Sequence, residues 1–364
     1  MGKLQDFCLN ITDGEHRSCA SYKDGTHYML NNNNISEDGI SIRKSDRRIS
    51  NHDYERVQRR LQLERGDVVV STCGTIGKVQ VIEEDDPDYI FSRSVAIIKC
   101  DMKKLLPEFL KYYLMQSEIQ QRLVAFATGM PSHICLSDLK ELEVNIPAIS
   151  KQHEVVDRLN LLTRKIQNNF EILKEIGEVA KELYQYWFET KNGQNGWTNG
   201  KIGDLIRLMD GKTCHCRENG DYPVYTSGGI TKYVSQYMDN GPALIVPRKG
   251  SLGNIQYAMS PFWASDTVFF AREIIPNASI YLYYYMMQYC DLWRLNTGTI
   301  IPSLTKAAVY SVNVTIPSKE TLVKFAKAVQ MIIKTEVCAR KENQQLMLLR
   351  GTMIDMLMSE LKRN

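Results

Sequence analysis

Apolar residues recur at helical spacing in two long stretches of this chain and at strand spacing in two blocks that precede them, in the same order both times. From Val155 the apolar series runs through Leu159, Leu162, Ile166, Phe170, Leu173, Ile176, Ala180 and Leu183 to Trp187, in steps of three and four with polar residues between. So narrow a stripe predicts a coiled-coil seam. Residues 319–361 repeat the plan with Leu322, Phe325, Val329 and Ile332, then Leu346, Leu349, Met353 and Met356. The polar middle of this second stretch, Lys334 to Gln345, predicts looser packing. A helix of about 38 residues is roughly 57 Å long, more than a small domain is wide, so the two helices are expected to pair.

The block ahead of each helix reads as mixed α and β. Asp67–Ser71 and Val79–Ile82 are β-branched runs separated by Gly74 and Gly77, a strand–turn–strand pattern, and Ser94–Ile98 is a third strand. Pro107 through Leu123 has helical periodicity, with Leu110, Leu114 and Ile119 on one face. In the second block Ala243–Val246, Asn254–Tyr257 and Thr267–Phe270 are the strands, and about Ser279 to Leu292 the helix. Asn192-Gly193-Gln194-Asn195-Gly196 cannot continue a helix and reads as a linker.

The two blocks share their words as well as their pattern. Gly2-Lys3-Leu4-x-Asp6 returns as Gly200-Lys201-Ile202-x-Asp204, and Gly74-Thr75-Ile76-Gly77-Lys78-Val79-Gln80 as Gly250-Ser251-Leu252-Gly253-Asn254-Ile255-Gln256. Thr128-Gly129 and Pro131-Ser132 return as Thr297-Gly298 and Pro302-Ser303, and Ile146-Pro147 as Ile316-Pro317. The chain is therefore two homologous halves, each a globular unit followed by a helix. Such a duplication can set two like surfaces about a pseudo-twofold axis, an arrangement suited to double-stranded DNA.

Composition narrows the choice by exclusion. The hydrophobic fraction of 43% and charged fraction of 24% are ordinary soluble values. There is no 18-residue apolar run to span a membrane, and the start lacks the apolar core of a signal peptide. Nine cysteines, scattered and odd in number, fit a reducing cytoplasm, and Cys214-His215-Cys216 lacks further ligands at metal-site spacing. The net charge of +3 hides a division: residues 1–150 carry 19 basic and 22 acidic side chains, residues 317–364 carry 9 and 5. No segment is strongly basic, so DNA contacts must come from local clusters.

Catalytic patterns are weak. Pro87-Asp88 with Asp101-x-Lys103 has the order of a Mg²⁺-dependent nuclease, but the matching run Phe269–Glu273 has no lysine in that place. There is no Asn-Pro-Pro-Tyr, no glycine-rich adenosylmethionine loop and no phosphate loop for ATP. Cationic groups are easier to place. Residues 42–65 hold Arg43, Lys44, Arg47, Arg48, Arg59 and Arg60, suited to guanine edges or phosphates, although a salt-bridged surface helix would look the same. Asn31–Asn34 could offer amides to adenine or form a plain polar loop. Thr75 and Lys78 in the first glycine turn, and Ser251 in the second, can bond phosphate where the backbone comes close. Lys232, Tyr233, Arg248 and Lys249 are the second-half counterparts of the arginine group, with Ser132, His133 and Ser303 as second-rank candidates.

Taken in order, twice over, the Gly-Lys-Leu/Ile-x-Asp start, the Gly-Thr/Ser-Ile/Leu-Gly turn, the Thr-Gly…Pro-Ser segment and the Ile-Pro helix start resemble the specificity subunit of type I restriction–modification systems. The junction Leu183-Tyr184-Gln185-Tyr186-Trp187-Phe188 followed by Gly196-Trp197 is also like that family's. The resemblance covers the whole chain. It implies an α+β fold: two homologous mixed α/β target-recognition domains joined by two long antiparallel coiled-coil helices with pseudo-twofold symmetry. On that plan residues 1–149 and 200–316 are the recognition domains, 150–191 and 317–364 the helices, and 192–199 the linker. It further implies a non-catalytic, cytoplasmic subunit whose domains each read half of a split DNA site. The helices would set the spacing and dock two methyltransferase subunits through Leu159, Leu162, Ile166, Leu173, Ile176 and Leu183, with Leu346, Leu349 and Met353 on the second helix. Restriction subunits would join outside, and S-adenosylmethionine, ATP and Mg²⁺ would sit on partners, with no cofactor or metal on this chain. Pro247-Arg248-Lys249 stands where the first half has Ser71-Thr72-Cys73, so the halves are expected to read different sequences. Two other classes remain open from the residues themselves, a coiled-coil adaptor that binds protein and the nuclease.

Overall fold

The computed structural model describes residues 2–17, 19–36, 39–43, 46–129, 132–189, 196–273 and 279–363; the first half of the expected linker at 192–199 lies outside them. The chain forms two compact units, residues 1–170 with 342–364 and residues 171–341, so the division falls inside both long helices.

In the first unit a four-stranded antiparallel sheet runs in the spatial order Cys8–Asp13, Val95–Cys100, Val68–Ser71, Val79–Val81. Its central strands are covered on both faces. Val68, Val70, Ala96 and Ile98 pack on helix residues Phe109, Leu110 and Leu114. Val69, Val95 and Ile97 face a smaller sheet of Arg47–Ile49, His27–Leu30 and Tyr89–Phe91. Two covered faces explain why Val68-Val69-Val70 is a continuous apolar run rather than an alternating one.

The second unit repeats the strand order of these two sheets, while the short pair Ile35–Ser36 with Gly39–Ile40 belongs to the first unit. Ile206–Asp210, Val268–Glu273, Ala243–Pro247 and Gln256–Ala258 form the four-stranded sheet, and Gly229–Val234, Glu218–Thr226 and Trp263–Ala264 the smaller one. In both small sheets the last strand pairs parallel with the middle one.

The repeated opening motif closes each unit. Gly2–Lys3 pairs with Glu143–Val144, and Thr198–Lys201 with Asn313–Ile316, just before the long helices start. In both places the motif's aspartate accepts the lysine backbone N–H at 2.8 Å, from Lys3 to Asp6 and from Lys201 to Asp204.

The helices differ from expectation in several respects. The helix expected over Pro107–Leu123 is two, Pro107–Leu114 and Ser117–Phe126, and the one expected over Ser279–Leu292 spans Ile280–Gln288. Ser117 starts its helix because Asp355 accepts both its N–H (2.9 Å) and its hydroxyl (2.6 Å). The first long helix is Ile149–Tyr184, continued by a π turn over Gln185–Glu189, and the second is Lys319–Arg363 without interruption.

Within the first unit Val155 and Leu159 pack with Ile354, Leu357 and Met358, while Asn343 Nδ2 donates to the Ile166 carbonyl, so the helices run antiparallel. Within the second unit Ala180, Tyr184 and Phe188 pack with Phe325 and Val329. The polar middle of the second helix is not loose. Glu342 accepts from Asn169 and pairs with Lys165, and Glu336, 1% exposed, accepts from Arg340, Tyr257 and Tyr281. The expected seam is also out of phase near the C-terminal end. Leu349 and Met356 are exposed while Arg350, Ile354 and Leu357 are buried, because this stretch must face a globular core as well as a helix.

Candidate nucleic-acid interface

The two glycine turns lie at the same end of their respective sheets, and each is laced to its surroundings in the same way. In the first unit buried Ser71 organises the turn: its hydroxyl accepts the Lys78 N–H at 2.8 Å and donates to the Thr75 carbonyl at 2.6 Å. Gly77 has φ +82°, and a Cβ there would run into the Gln120 side chain, so the turn requires glycine at that point. The segment Thr128–His133 closes on itself through two backbone bonds of 3.0 Å and bridges Cys73 through His133. His133 is thereby placed beside Cys73, at the start of the turn that carries Thr75 and Lys78, and Ser132 precedes it in the chain.

The last residue of the repeated turn motif has a role that the spacing did not suggest. Gln80 donates to the Ser36 carbonyl at 2.6 Å, and its counterpart Gln256 donates to the Thr226 carbonyl at 2.8 Å. Each glutamine pins an upstream segment, dissimilar between the halves, against its turn. In the first unit that segment carries the asparagine run and Arg43. Asn34, 1% exposed, donates to the Ser41 carbonyl and to Asp46, and Asn31 caps the short turn through Asn33. These two amides hold the loop. Asn32 lies against Gly74, and Arg43 donates to the Asn33 carbonyl at 2.8 Å.

Lys78 is half-buried, and its ammonium titrates below the usual lysine range, first because burial penalises the charge and then because Arg43 is close. Two cations near each other beside an amide and a hydroxyl make a pocket of positive potential that a phosphate would relieve.

The arginine group does not act as one cluster. Arg60 donates to the carbonyls of Asp13 and Gly14 and pairs with buried Glu15, while Arg47 donates to the Cys19 carbonyl. Arg48 lies over the Tyr28 ring at 5.4 Å. Arg59 pairs with Glu55 on the helix Asn51–Leu61 and lines a shallow depression with Glu64, Asp85 and Asp86, a poor setting for phosphate. Lys44 lies outside the described residues.

In the second unit Lys249 bridges Ser303, and the Gly250 N–H bonds the Pro302 carbonyl at 2.8 Å, so Lys249, Ser251 and Ser303 share one edge. Arg248 is paired with Asp210 at 3.8 Å and lies over Phe269. Lys232 and Tyr233 sit on the strand Gly229–Val234; burial raises the Tyr233 phenol pKa, and nearby Arg340 opposes the rise. Asn254, in the place of Lys78, donates to the Ser227 carbonyl at 2.9 Å. Trp293, 52% exposed, flanks Gly253 where Gln120 flanks Gly77. The pairing of Gln80 with Gln256 was visible in the repeat, and Asn32 in the asparagine run; Trp293 and Ser227 carried no such signal.

The nuclease residues are otherwise engaged. Asp101 accepts the Lys103 N–H and pairs with Lys104. Among the described residues no three His, Cys, Asp or Glu side chains group closely enough to hold a metal ion, and no helix is long and apolar enough to cross a membrane. All nine cysteines are free.

Two copies of one sheet-and-helix unit, each presenting a laced polar turn, define a duplicated-domain protein of the recognition type. Residues 13–178 and 194–347 match the family described as the type I restriction modification DNA specificity domain, and the chain belongs to that family. It is 25% identical over 135 residues to the type I restriction enzyme HindI specificity subunit of Haemophilus influenzae, covering 36% of this chain and 29% of that protein. It is 32% identical over 105 residues to the EcoBI specificity subunit of Escherichia coli, covering 29% of this chain and 22% of that one. The matches thus span less than a third of these relatives' lengths. Among solved structures, the S subunit of a type I restriction–modification system from M. genitalium is similar over 98% of this chain and 94% of its own, at 19% identity and a TM-score of 0.48. The HsdS subunit from Thermoanaerobacter tengcongensis follows at 14% identity, 98% and 95% coverage and a TM-score of 0.36.

Proposed function

We propose that this chain is the non-catalytic DNA sequence-specificity subunit of a type I restriction–modification complex. Each globular domain, residues 1–149 and 200–316, reads one half of a bipartite DNA site. The helices over 150–191 and 317–364 set the distance between the halves and dock two methyltransferase subunits, with restriction subunits outside. S-adenosylmethionine, ATP and Mg²⁺ act on those partners. The observation that carries this reading is the repeated turn: one backbone device, built twice at the same sheet end, presenting cations and hydroxyls in two different chemical settings.

The docking role is supported by apolar side chains that the helices leave exposed, among them Leu161, Val179, Met331, Leu348 and Leu349. Leu159 and Ile166, fully buried, hold the helix pair itself and are removed from the docking set. Leu173 and Ile176 are half-buried, so polar substitutions there act on the pairing only mildly.

Methylome sequencing of cells expressing this chain with its methyltransferase partner tests the reading by yielding a bipartite motif or none. The spacing role has its own test. Four helix-forming residues inserted near Glu175 add roughly 6 Å, enough for one or two base pairs. The half-sites should stay the same while the gap lengthens by one or two. An unchanged gap in an active complex would show that the helices are not the ruler, and altered half-sites that recognition is not confined to the domains.

A further inference from the structure

The second unit carries an apolar feature that its turn chemistry does not account for. Ile300 is 93% exposed and Ile301 60%, on the loop between Thr297 and Ser303. The loop is held at its base rather than hanging free. Thr297 N–H bonds the Ser303 carbonyl at 2.9 Å, and Asn296 Oδ1 accepts from the N–H groups of Gly298 (2.9 Å) and Ser303 (2.8 Å). A Cβ at Gly298 would collide with the Ile301 carbonyl, so the chain doubles back in contact with itself. The equivalent sequence in the first half, Thr128–Ser132, is two residues shorter between its threonine and proline and lacks the isoleucine pair.

From this geometry we infer that Ile300 and Ile301 form an apolar fingertip that contacts the bases of the half-site read by the second unit. The inference rests on the DNA-recognition reading proposed above. The occupant follows from what surrounds the tip. It is fastened to the glycine turn through Lys249–Ser303 and Gly250–Pro302, so exposed Lys249 and Ser251 sit at its base with phosphate-binding chemistry. A cation at the base and bare hydrocarbon at the tip match a duplex, with charged backbone outside and thymine methyls or base faces within. A protein partner fits less well, because two side chains supply only a small part of the about 800 Å² per partner that a specific interface buries. Exposed apolar tips otherwise only cost solubility, whereas this one is rigidly presented.

The test uses the full chain with its methyltransferase partner and compares Ile300→Ser/Ile301→Ser with Lys249→Ala. Wild type supplies the control: absence of salt-dependent binding to its own motif would sink the DNA reading itself, leaving the fingertip without a ligand. Given wild-type binding, the double serine variant should lose about tenfold in affinity for the specific duplex, or relax one or two positions in one half-site. It should keep the other half-site, the thermal midpoint and the slope of log affinity against log salt. Lys249→Ala should instead weaken binding to all sequences and lower that slope by about one. Unchanged affinity and motif in the serine variant would overturn the inference. So would loss of methyltransferase assembly with DNA affinity intact, which would make the tip a protein contact.

Discussion

The first unit flanks its glycine turn with paired cations and an amide, and the second adds exposed hydrocarbon to the lysine and serine of the same turn. Lys78, Arg43 and Asn32 flank one; Trp293, Ile300 and Ile301 flank the other, where Asn254 is engaged by the Ser227 carbonyl. The lacing beneath is common to both: a Gln80 or Gln256 pin, a closed Thr-Gly loop and a bridge from that loop to the residue before the first glycine. A duplicated fold can therefore keep its backbone device while the residues around it diverge, because the device needs only glycine, a hydroxyl or amide and backbone bonds. What the turn touches is set by side chains that take no part in folding it.

The joints between domain and long helix also differ, and the largest expected effect lies there. Glu336 accepts from Tyr257 (2.8 Å), Tyr281 and Arg340 in a nearly dry setting. Glu336→Ala leaves three donors without their acceptor and should cost about 3–5 kcal/mol in denaturant unfolding. At the first unit's joint Tyr112 donates to Asn160 at 2.8 Å and shares a bond with Thr163, and Tyr112→Phe should cost only about 1 kcal/mol. Equal losses would mean that the two joints are energetically alike despite their different chemistry.

The turns should separate next. Gly77→Ala forces a left-handed backbone and a collision with Gln120, for an expected loss of about 1–3 kcal/mol. Gly253→Ala meets only the Trp293 ring edge at 3.2 Å without positive φ, and should lose less than about 1 kcal/mol. A thermal melt of each variant decides, and a costlier Gly253 would reverse the assignment of the strained turn.

The smallest effect concerns Lys78. Its folded pKa lies below the ordinary value of 10.5, so folding disfavours the charged form and this contribution to stability rises with pH through that window. Lys78→Met should be neutral or stabilising by less than about 1 kcal/mol, yet weaken DNA binding and lower the salt slope by about one. In the wild-type protein, affinity should fall as pH rises through the same window, because the ammonium discharges there earlier than an ordinary lysine. Binding by Lys78→Met with an unchanged salt slope would remove Lys78 from the interface.

Much of this architecture is legible before any coordinates. The β-branched runs became the central strands, the three-and-four spacing became the long helices, and the repeated words marked equivalent places. These are short-range signals, carried by residues adjacent in the chain, and periodicity reports them faithfully. The charge clusters are not readable in this way, for the converse reason. Arg47, Arg59 and Arg60 look alike in sequence, but one meets the Cys19 carbonyl, one an acidic surround and one the buried Glu15.

Periodicity and repetition alone specify two like domains, two long helices and the turn that each domain displays. Tertiary packing decided the rest. Asp355 starts a helix more than two hundred residues earlier in the chain, Glu336 gathers one tyrosine from a strand and one from a helix, and the C-terminal seam rotates to bury Ile354 and Leu357 in place of Leu349 and Met356. The physical reason is common to all three. Hydrogen bonds and desolvation depend on which groups meet in space, and a side chain's partner is set by the packing of whole elements rather than by its neighbours in sequence.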